Sequence, residues 1–156
     1  ILLRSADGLT YEVVGYETYT AKPPAPVYSA ADVRLNEILP VPRNNKPEWV
    51  EFYNLTSQAI DIGGTWIDDI ANGGSAPQQI PAGTTIPAGG FYGWETSSYF
   101  NNSGDDVRYL ATDGVTIYDA FSYGSTGTNR SWYRLPDGGS WAATTDSSPT
   151  KGASNN

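Results

Sequence analysis

The 156-residue chain is predicted to fold as an all-β sandwich. Apolar and polar residues alternate in several short segments, as in strands that bury one face. The 17 Gly and 11 Pro residues supply frequent turn signals between these segments. No segment has the 3.6-residue period of an amphipathic helix, and 5 Trp, 11 Tyr and 4 Phe provide large side chains for a core. Short strands with regular turns between them are typical of a β-sandwich.

The N-terminal region is predicted to be separate from the main domain. In residues 1–20, two apolar segments flank Asp7-Gly8, a dipeptide that favours a hairpin turn because both positions tolerate positive φ. Residues 21–26 contain three prolines and favour an extended polyproline II conformation. We therefore interpret residues 1–20 as a hairpin or the end of a preceding domain, and residues 21–31 as a Pro-rich linker. The sandwich domain is predicted to span residues 32–156.

The two clearest strands of this domain are residues 33–39 and 48–54. In the first strand, Val33 and Leu35 alternate with polar residues, and the same alternation extends to Glu37. In the second strand, Val50 and Phe52 share one face. The opposite face carries Trp49, Glu51 and Tyr53. Further strands are predicted at residues 58–62, 65–70, 91–94, 107–110, 115–120 and 130–135, and residues 80–90 are predicted to form a loop, a short strand and a second loop.

The composition excludes several functions. Cysteine, histidine and methionine are absent, so the chain has no disulfide, thiolate zinc site, cysteine nucleophile or histidine base. The net charge of −8 disfavours binding to phosphate backbones, and no nucleic-acid partner is expected. The apolar runs are too short to span a bilayer, so no membrane insertion is expected. The lack of Met even at position 1 indicates an internal fragment or a processed product.

Several motifs resemble a lamin tail domain, in the order in which that family has them. The strand motifs are residues 35–38 (Leu-Asn-Glu-Ile), 48–54 (Glu-Trp-Val-Glu-Phe-Tyr-Asn) and 60–64 (Ile-Asp-Ile-Gly-Gly). Residues 83–91 (Gly-Thr-Thr-Ile-Pro-Ala-Gly-Gly-Phe) are similar to the family's turn before an aromatic strand. The family's ending resembles residues 131–138 (Ser-Trp-Tyr-Arg-Leu-Pro-Asp-Gly) and 148–155 (Ser-Pro-Thr-Lys-Gly-Ala-Ser-Asn).

The resemblance implies an immunoglobulin-like β-sandwich of the lamin tail type, here with an N-terminal β-hairpin extension. It also implies an accessory module of a secreted bacterial protein, located outside the cell or on its surface. One departure concerns Trp66, because the family has its aromatic residue directly after Gly64, where this chain has Thr65. A shift of one residue reverses the face of a strand, so Trp66 either points to solvent or is restored to the core by a bulge.

The aromatic residues are the sharpest functional signal. Trp49 and Tyr53 share one strand face, and Trp66 follows in the next part of the motif. Exposed rings on a sandwich face can stack on sugars, so these three residues are the candidate ligand-binding residues. The alternative interpretation is that the rings cover the second face of the sheet or pack beneath Pro-rich loops.

The charged residues suggest no catalytic site, no cofactor and no metal centre. Glu48 and Glu51 lie three apart in a strand and point to opposite faces, so they cannot share a substrate bond. The carboxylate pairs that could hold calcium are Asp68-Asp69 and Asp105-Asp106, but neither has the fixed spacing of an EF-hand loop. Three arginines in strands are expected to form structural pairs with carboxylates. They are Arg34, Arg130 and Arg134.

Three functions from different classes remain open at this point. The first is a non-catalytic extracellular binding or scaffold module of a larger bacterial protein, monomeric itself and attached to a protein or a cell-surface polysaccharide. The second is a carbohydrate-binding module that uses the three aromatics. The third is an enzyme, which the missing histidine and cysteine would restrict to carboxylate chemistry.

Overall fold

The computed structural model describes residues 3–5, 11–13, 29 and 32–156. Near the N-terminus, β1 (Leu3–Ser5) pairs with β2 (Tyr11–Val13) in antiparallel register. The two predicted hairpin strands are therefore confirmed as a pair. The predicted turn at Asp7-Gly8 and residues 21–26 of the predicted linker lie outside the described residues.

Residues 32–156 contain eleven strands and no helix, as the sequence predicts. In chain order these strands are β3 (Val33–Leu39), β4 (Glu48–Asn54), β5 (Ile60–Asp61), β6 (Trp66–Asp68), β7 (Gln78–Gln79), β8 (Thr85–Ile86), β9 (Phe91–Thr96), β10 (Gly104–Leu110), β11 (Ile117–Gly124), β12 (Trp132–Leu135) and β13 (Ser140–Trp141). The predicted bounds of β3 and β4 are confirmed. The two-residue strands β7 and β13 were not predicted, because two residues carry no readable alternation. The short strand expected within residues 80–90 is confirmed as β8.

Two antiparallel sheets form the sandwich. The five-stranded sheet has the order β13-β12-β3-β4-β9, and the four-stranded sheet has the order β11-β10-β6-β7. A short β5–β8 pair accompanies them. The predicted all-β sandwich is confirmed. Among the residues described, none belongs to a helix that is both long and apolar enough to cross a membrane.

The core lies between the two sheets and consists of the inward-facing residues of both. In β4, Val50 and Phe52 are fully buried, as the alternation predicts. Across from them, the four-stranded sheet contributes Ile67, Val107 and Tyr109, which are fully buried as well. The rings of Phe52 and Tyr109 meet edge to face at 4.9 Å, so aromatic packing joins the two layers.

A β-bulge in β3 corrects one prediction about facing. Leu35 is opposite Phe52, but Glu37 is opposite Glu51, so Asn36 is an extra residue in β3. The simple alternation places Glu37 on the same face as Leu35, and this prediction is wrong. Because the bulge shifts the register by one residue, Asn36 and Glu37 both belong to the outer face of the five-stranded sheet. The bulge therefore creates the polar cluster described below.

Candidate functional site

The outer face of β4 carries two of the three candidate ligand-binding aromatics. Trp49 and Tyr53 point away from the core, since Val50 and Phe52 alternate with them and are buried in it. Trp49 is only 5% exposed, whereas Tyr53 is half-buried. Their Cα atoms lie about 13 Å apart along the strand, given a rise of about 3.3 Å per residue. Because Trp49 is so deeply buried, its ring offers no open face on which a sugar could stack.

Trp49 is covered by residues 148–155, which we call the C-terminal strap. The strap crosses the outer face of the five-stranded sheet and places the Nζ atom of Lys151 5.9 Å from the centre of the Trp49 ring. The same Lys151 forms an ion pair with Glu95 on β9. The close approach of the Lys151 side chain to β9 requires a glycine at position 93, because a Cβ atom there would lie 2.9 Å from Cδ of Lys151.

The strap is bound by two buried glutamates. Glu37 and Glu51 are opposite each other in β3 and β4, and both are 0% exposed. Glu37 accepts hydrogen bonds from Oγ of Ser131 (2.6 Å), from the N–H of Thr150 (3.0 Å) and from Oγ1 of Thr150 (3.0 Å). Glu51 accepts one from the N–H of Gly152 (2.5 Å). Each carboxylate is therefore engaged by the strap itself.

Burial raises the pKa of both carboxyl groups. The pKa of Glu51 rises to about 7, since desolvation outweighs the hydrogen bonds from Gly152 and Asn36, and the charge of Glu37 adds to the rise. Burial also raises the pKa of Glu37 against the hydrogen bonds from Ser131 and Thr150. A carboxyl group that titrates near neutrality is typical of catalytic acids and bases. Here both groups lie beneath the strap, where no substrate atom can reach them.

Asn36, the bulge residue, extends this polar cluster. Its Nδ2 donates to Glu51 (3.1 Å) and to Oδ1 of Asp137 (2.9 Å), and its Oδ1 accepts the N–H of Gly138 (2.9 Å). At the far end of the strap, Asn155 donates its N–H to Asp137 (3.1 Å) and its Nδ2 to a carbonyl on β12 (3.0 Å). The network thus joins residues from four of the motifs on which the family resemblance depends, namely those at 35–38, 48–54, 131–138 and 148–155.

A charged pair connects the two sheets next to this network. Arg134 on β12 donates to Asp119 on β11 (2.9 Å), and its Nε donates to the carbonyl of Leu35 (2.7 Å). Asp119 in turn accepts the N–H of Leu35 (3.0 Å). The guanidinium lies 4.6 Å from the centre of the Trp141 ring. The bulge frees the backbone of Leu35 from the strand ladder, and the two charged side chains complete its hydrogen bonding.

The expected structural pairing of arginines is confirmed for Arg134. The other two candidates, Arg34 and Arg130, donate to backbone carbonyls (3.2 and 3.3 Å) and form no ion pair in the described part of the chain. Burial lowers the pKa of Arg134, and the neighbouring Asp119 opposes this effect. Arg134 is therefore a structural residue, whereas Arg130 is exposed and makes only long hydrogen bonds.

An open groove lies between the strap and the loop that joins β3 to β4. We call it the cationic groove; its volume is about 660 Å³. Its lining consists of five apolar residues, two asparagines, three cations and one carboxylate. The apolar lining residues are Leu39, Pro42, Pro47, Trp49 and Pro149. The charged lining residues are Arg43, Lys46, Lys151 and Glu95.

Trp66 is placed on the opposite side of the sandwich from the other two candidate aromatics. It belongs to β6 in the four-stranded sheet and is opposite Leu110. Its neighbour Ile67 is fully buried, so Trp66 faces outward and is half-buried. The interior position that the family gives to an aromatic is occupied by Thr65, which is 0% exposed and donates its hydroxyl to the carbonyl of Ile62 (2.6 Å). The three candidate aromatics therefore do not form one platform.

The first candidate calcium pair, Asp68-Asp69, is buried. Asp68 is 4% exposed and forms an ion pair with Arg108, its partner across the β6–β10 ladder. Burial raises the pKa of Asp68, although Arg108 acts in the opposite direction. Asp69 is 2% exposed and accepts the N–H of Ser75 (2.7 Å). The protein thus engages one oxygen of each carboxylate, while the Oδ1 atoms of Asp68 and Asp69 are buried without a hydrogen-bond partner in the described part of the chain.

The second candidate pair lies at the start of β10. Asp105 accepts the N–H of Asn101 (2.8 Å), and Asp106 accepts the hydroxyl of Ser122 (2.5 Å). Within the described ranges, no group of three or more His, Cys, Asp or Glu side chains is arranged to hold a metal ion. The two candidate pairs therefore remain unsupported as a calcium site.

Glu48 and Glu51 occupy opposite faces of β4, as predicted. Glu48 accepts the N–H groups of Tyr99 and Phe100 (3.0 Å each) and so fixes the segment after β9. Glu51 binds the strap on the other face of the sheet. The two carboxylates thus support two different chain segments.

A model of the lamin tail domain family matches residues 26–145, which is most of the chain. The protein therefore belongs to the lamin tail domain family, whose members carry a non-catalytic immunoglobulin-like module. No curated protein and no solved structure matches the chain.

The sequence interpretation did not identify the cationic groove or the role of the strap. The Pro-Arg-Asn-Asn-Lys-Pro run at residues 42–47 was a readable signal, because it sets two cations in a rigid loop of an acidic chain. The partner side of the groove, Pro149 and Lys151, comes from the far end of the sequence. Only the fold brings these two parts together.

Proposed function

We propose that this lamin tail domain is a non-catalytic extracellular module of a larger bacterial protein, which attaches that protein to another protein or to a surface. The observation that carries the proposal is that the buried carboxylates bind other segments of the same chain. Glu37, Glu48 and Glu51 all accept hydrogen bonds from backbone amides and hold chain segments in place. An open, charged surface is present at the cationic groove, where a partner can bind without chemistry.

The acidic composition supports a role outside nucleic-acid binding, since a net charge of −8 opposes contact with phosphate backbones. The alternative function, a carbohydrate-binding module, has less support from the geometry. It requires open aromatic rings on one surface, whereas Trp49 is 5% exposed and Trp66 lies on the other sheet. Tyr53 alone is a small platform for a sugar chain.

A cell-binding experiment separates these functions. The labelled chain is incubated with intact bacterial cells that are untreated, treated with protease or treated with periodate. Saturable binding that protease removes and periodate spares is the expected result for attachment to a protein. Binding that periodate removes, together with binding to immobilised polysaccharide, supports the carbohydrate-binding alternative. Absence of saturable binding to all surfaces and polysaccharides, with and without calcium, contradicts the proposed function.

A further inference from the structure

We propose that the cationic groove is a docking surface for an extended acidic peptide segment of a partner protein. The inference rests on the proposed function and deepens it, because it names the surface and the chemistry of the ligand.

The cations of the groove are the first argument. Residues 32–156 contain seven Lys and Arg side chains, and five of them form an ion pair or a side-chain hydrogen bond. The two without such a partner in this described part are Arg43 and Lys46, which are both exposed and both line the groove. With Lys151 and Glu95 they give the groove a local charge of +2, in a chain whose net charge is −8. This reversal of sign favours an anionic ligand at this place.

The rigidity of the groove is the second argument. Asn44 and Asn45 adopt positive φ angles of 57° and 55°, and the N–H of Lys46 donates to the carbonyl of Arg43 (3.1 Å), which closes a tight turn. The N–H of Asn129 donates to the carbonyl of Val41 (2.6 Å) and attaches the loop to the body of the domain. A surface that is ordered before binding loses little conformational entropy when a ligand docks.

The opposite wall of the groove is held by the buried cluster. Pro149 and Lys151 belong to the strap, and the residue between them, Thr150, binds Glu37 through both its amide and its hydroxyl. Both walls are thus fixed by hydrogen bonds to the rest of the domain. The ligand meets a formed channel rather than two loose loops.

The lining favours a peptide over an anionic sugar chain. The half-buried rings of Pro42, Pro47 and Pro149 form the apolar part of the walls, and such surfaces accept the side chains of an extended peptide. Sugar binding would need an open aromatic ring, but Trp49 is 5% exposed and Lys151 lies over it. An extended polyproline II peptide directs its side chains to three sides, so some acidic side chains can contact Arg43 and Lys46 while apolar residues face the walls.

The probe is a fluorescent peptide of about twelve residues with alternating Asp and Pro, which is extended in solution. Its counterpart with Asn in place of Asp is the neutral comparison. We expect saturable binding of the Asp–Pro peptide that weakens at high salt, and no binding of the Asn–Pro peptide. The double variant Arg43→Gln/Lys46→Gln is expected to weaken the binding by about tenfold or more, since two charged contacts are lost.

The control is the double variant Gln78→Glu/Ala82→Glu, which changes the net charge by the same amount at exposed residues that do not line the groove. It is expected to change the affinity by less than about twofold at moderate salt, because distant surface charges are screened. An equal loss in both double variants would overturn the inference, because net charge alone would then explain binding. Failure of the Asp–Pro peptide to bind overturns the inference as well. This holds even if an anionic polysaccharide, such as polygalacturonate, binds to the groove in place of the peptide.

The two proposals fail in different ways. If the chain binds cells in a protease-sensitive manner and Arg43→Gln/Lys46→Gln binds them as well as the unmodified chain, the docking surface is wrong and the proposed function stands. If no cell surface is bound at all, the proposed function fails, whatever the peptide does.

Discussion

Glu37 and Glu51 face each other as direct partners across β3 and β4, and the same C-terminal strap covers both of them. Like charges in directly opposite positions of a sheet are normally destabilising. Here N–H and O–H donors of the strap offset part of the cost, although burial still raises the pKa of both carboxyl groups. The strap is thereby attached to the sheet through the two groups that are most difficult to bury.

This arrangement predicts that stability falls as pH rises through the neutral range. The folded pKa of Glu51 is about 7, above its ordinary value of 4.5, so the native state binds more protons than the unfolded state between these values. The free energy of unfolding therefore decreases as pH rises across this window. Glu37 and Asp68 also have raised pKa values and contribute with the same sign.

Urea unfolding between pH 5 and pH 8 measures the effect. At 1.36 kcal/mol per pKa unit, Glu51 alone accounts for a loss of roughly 2 to 3 kcal/mol across the range. The variant Glu51→Gln cannot titrate, so its free energy of unfolding should vary much less with pH. An unchanged pH dependence in Glu51→Gln would show that Glu51 is not the group responsible.

The end of the strap is predicted to be a stabilising anchor. Asn155→Ala removes the hydrogen bonds that the side-chain Nδ2 donates to the carbonyls of Arg134 (3.0 Å) and Asn36 (3.4 Å), while the backbone N–H bond to Asp137 stays in place. It leaves buried acceptors without a donor, and we expect a loss of about 1 to 3 kcal/mol in the free energy of unfolding. The matched control is Asn156→Ala, an exposed neighbour, which should change stability by less than about 0.5 kcal/mol. Equal effects of the two variants would argue against the anchor.

Arg134 is predicted to be the most sensitive charged residue of the domain. Arg134→Ala would leave Asp119 and the carbonyl of Leu35 without their partner, and we expect a loss of about 3 to 5 kcal/mol. Arg134→Lys keeps the charge but loses the planar fork, so it should lie between Ala and Arg. Arg130→Ala is the control, since Arg130 makes only long, exposed bonds. Thermal unfolding of the three variants checks this order, and a mild effect of Arg134→Ala would contradict it.

The fold could be predicted where the signal is local. Alternation in residues 33–39 and 48–54 reproduces β3 and β4, because burial of one sheet face dictates the pattern along the strand. The bulge at Asn36 does not alter the composition of its segment, so the simple alternation placed Glu37 on the wrong face. A register shift of one residue depends on the partner strand, and the sequence of one strand does not contain it.

The site could not be predicted because its hydrogen bonds join distant parts of the chain. Thr150 lies 113 residues from Glu37, and Gly152 lies 101 residues from Glu51. The sequence alone presents Glu51 as an ordinary outward-facing residue that lies between Trp49 and Tyr53 on one face of the strand. Only the strap, folded back over the sheet, turns it into a buried group with a pKa near 7.

The strap also covers Trp49, and this leads to a test of the aromatic residues. Trp49 is 5% exposed beneath Lys151, so Trp49→Ala should cost about 3 to 5 kcal/mol of stability, as for other buried large residues. Trp66 is half-buried on the other sheet, and Trp66→Ala should cost clearly less. Trp49→Phe retains much of the buried aromatic surface, so its loss in the free energy of unfolding should be smaller than that of Trp49→Ala. Urea unfolding followed by circular dichroism gives the three values. If Trp49→Ala were as stable as the unmodified chain and had lost binding to a polysaccharide, the ring would be a ligand contact, and the carbohydrate-binding alternative would replace the scaffold proposal.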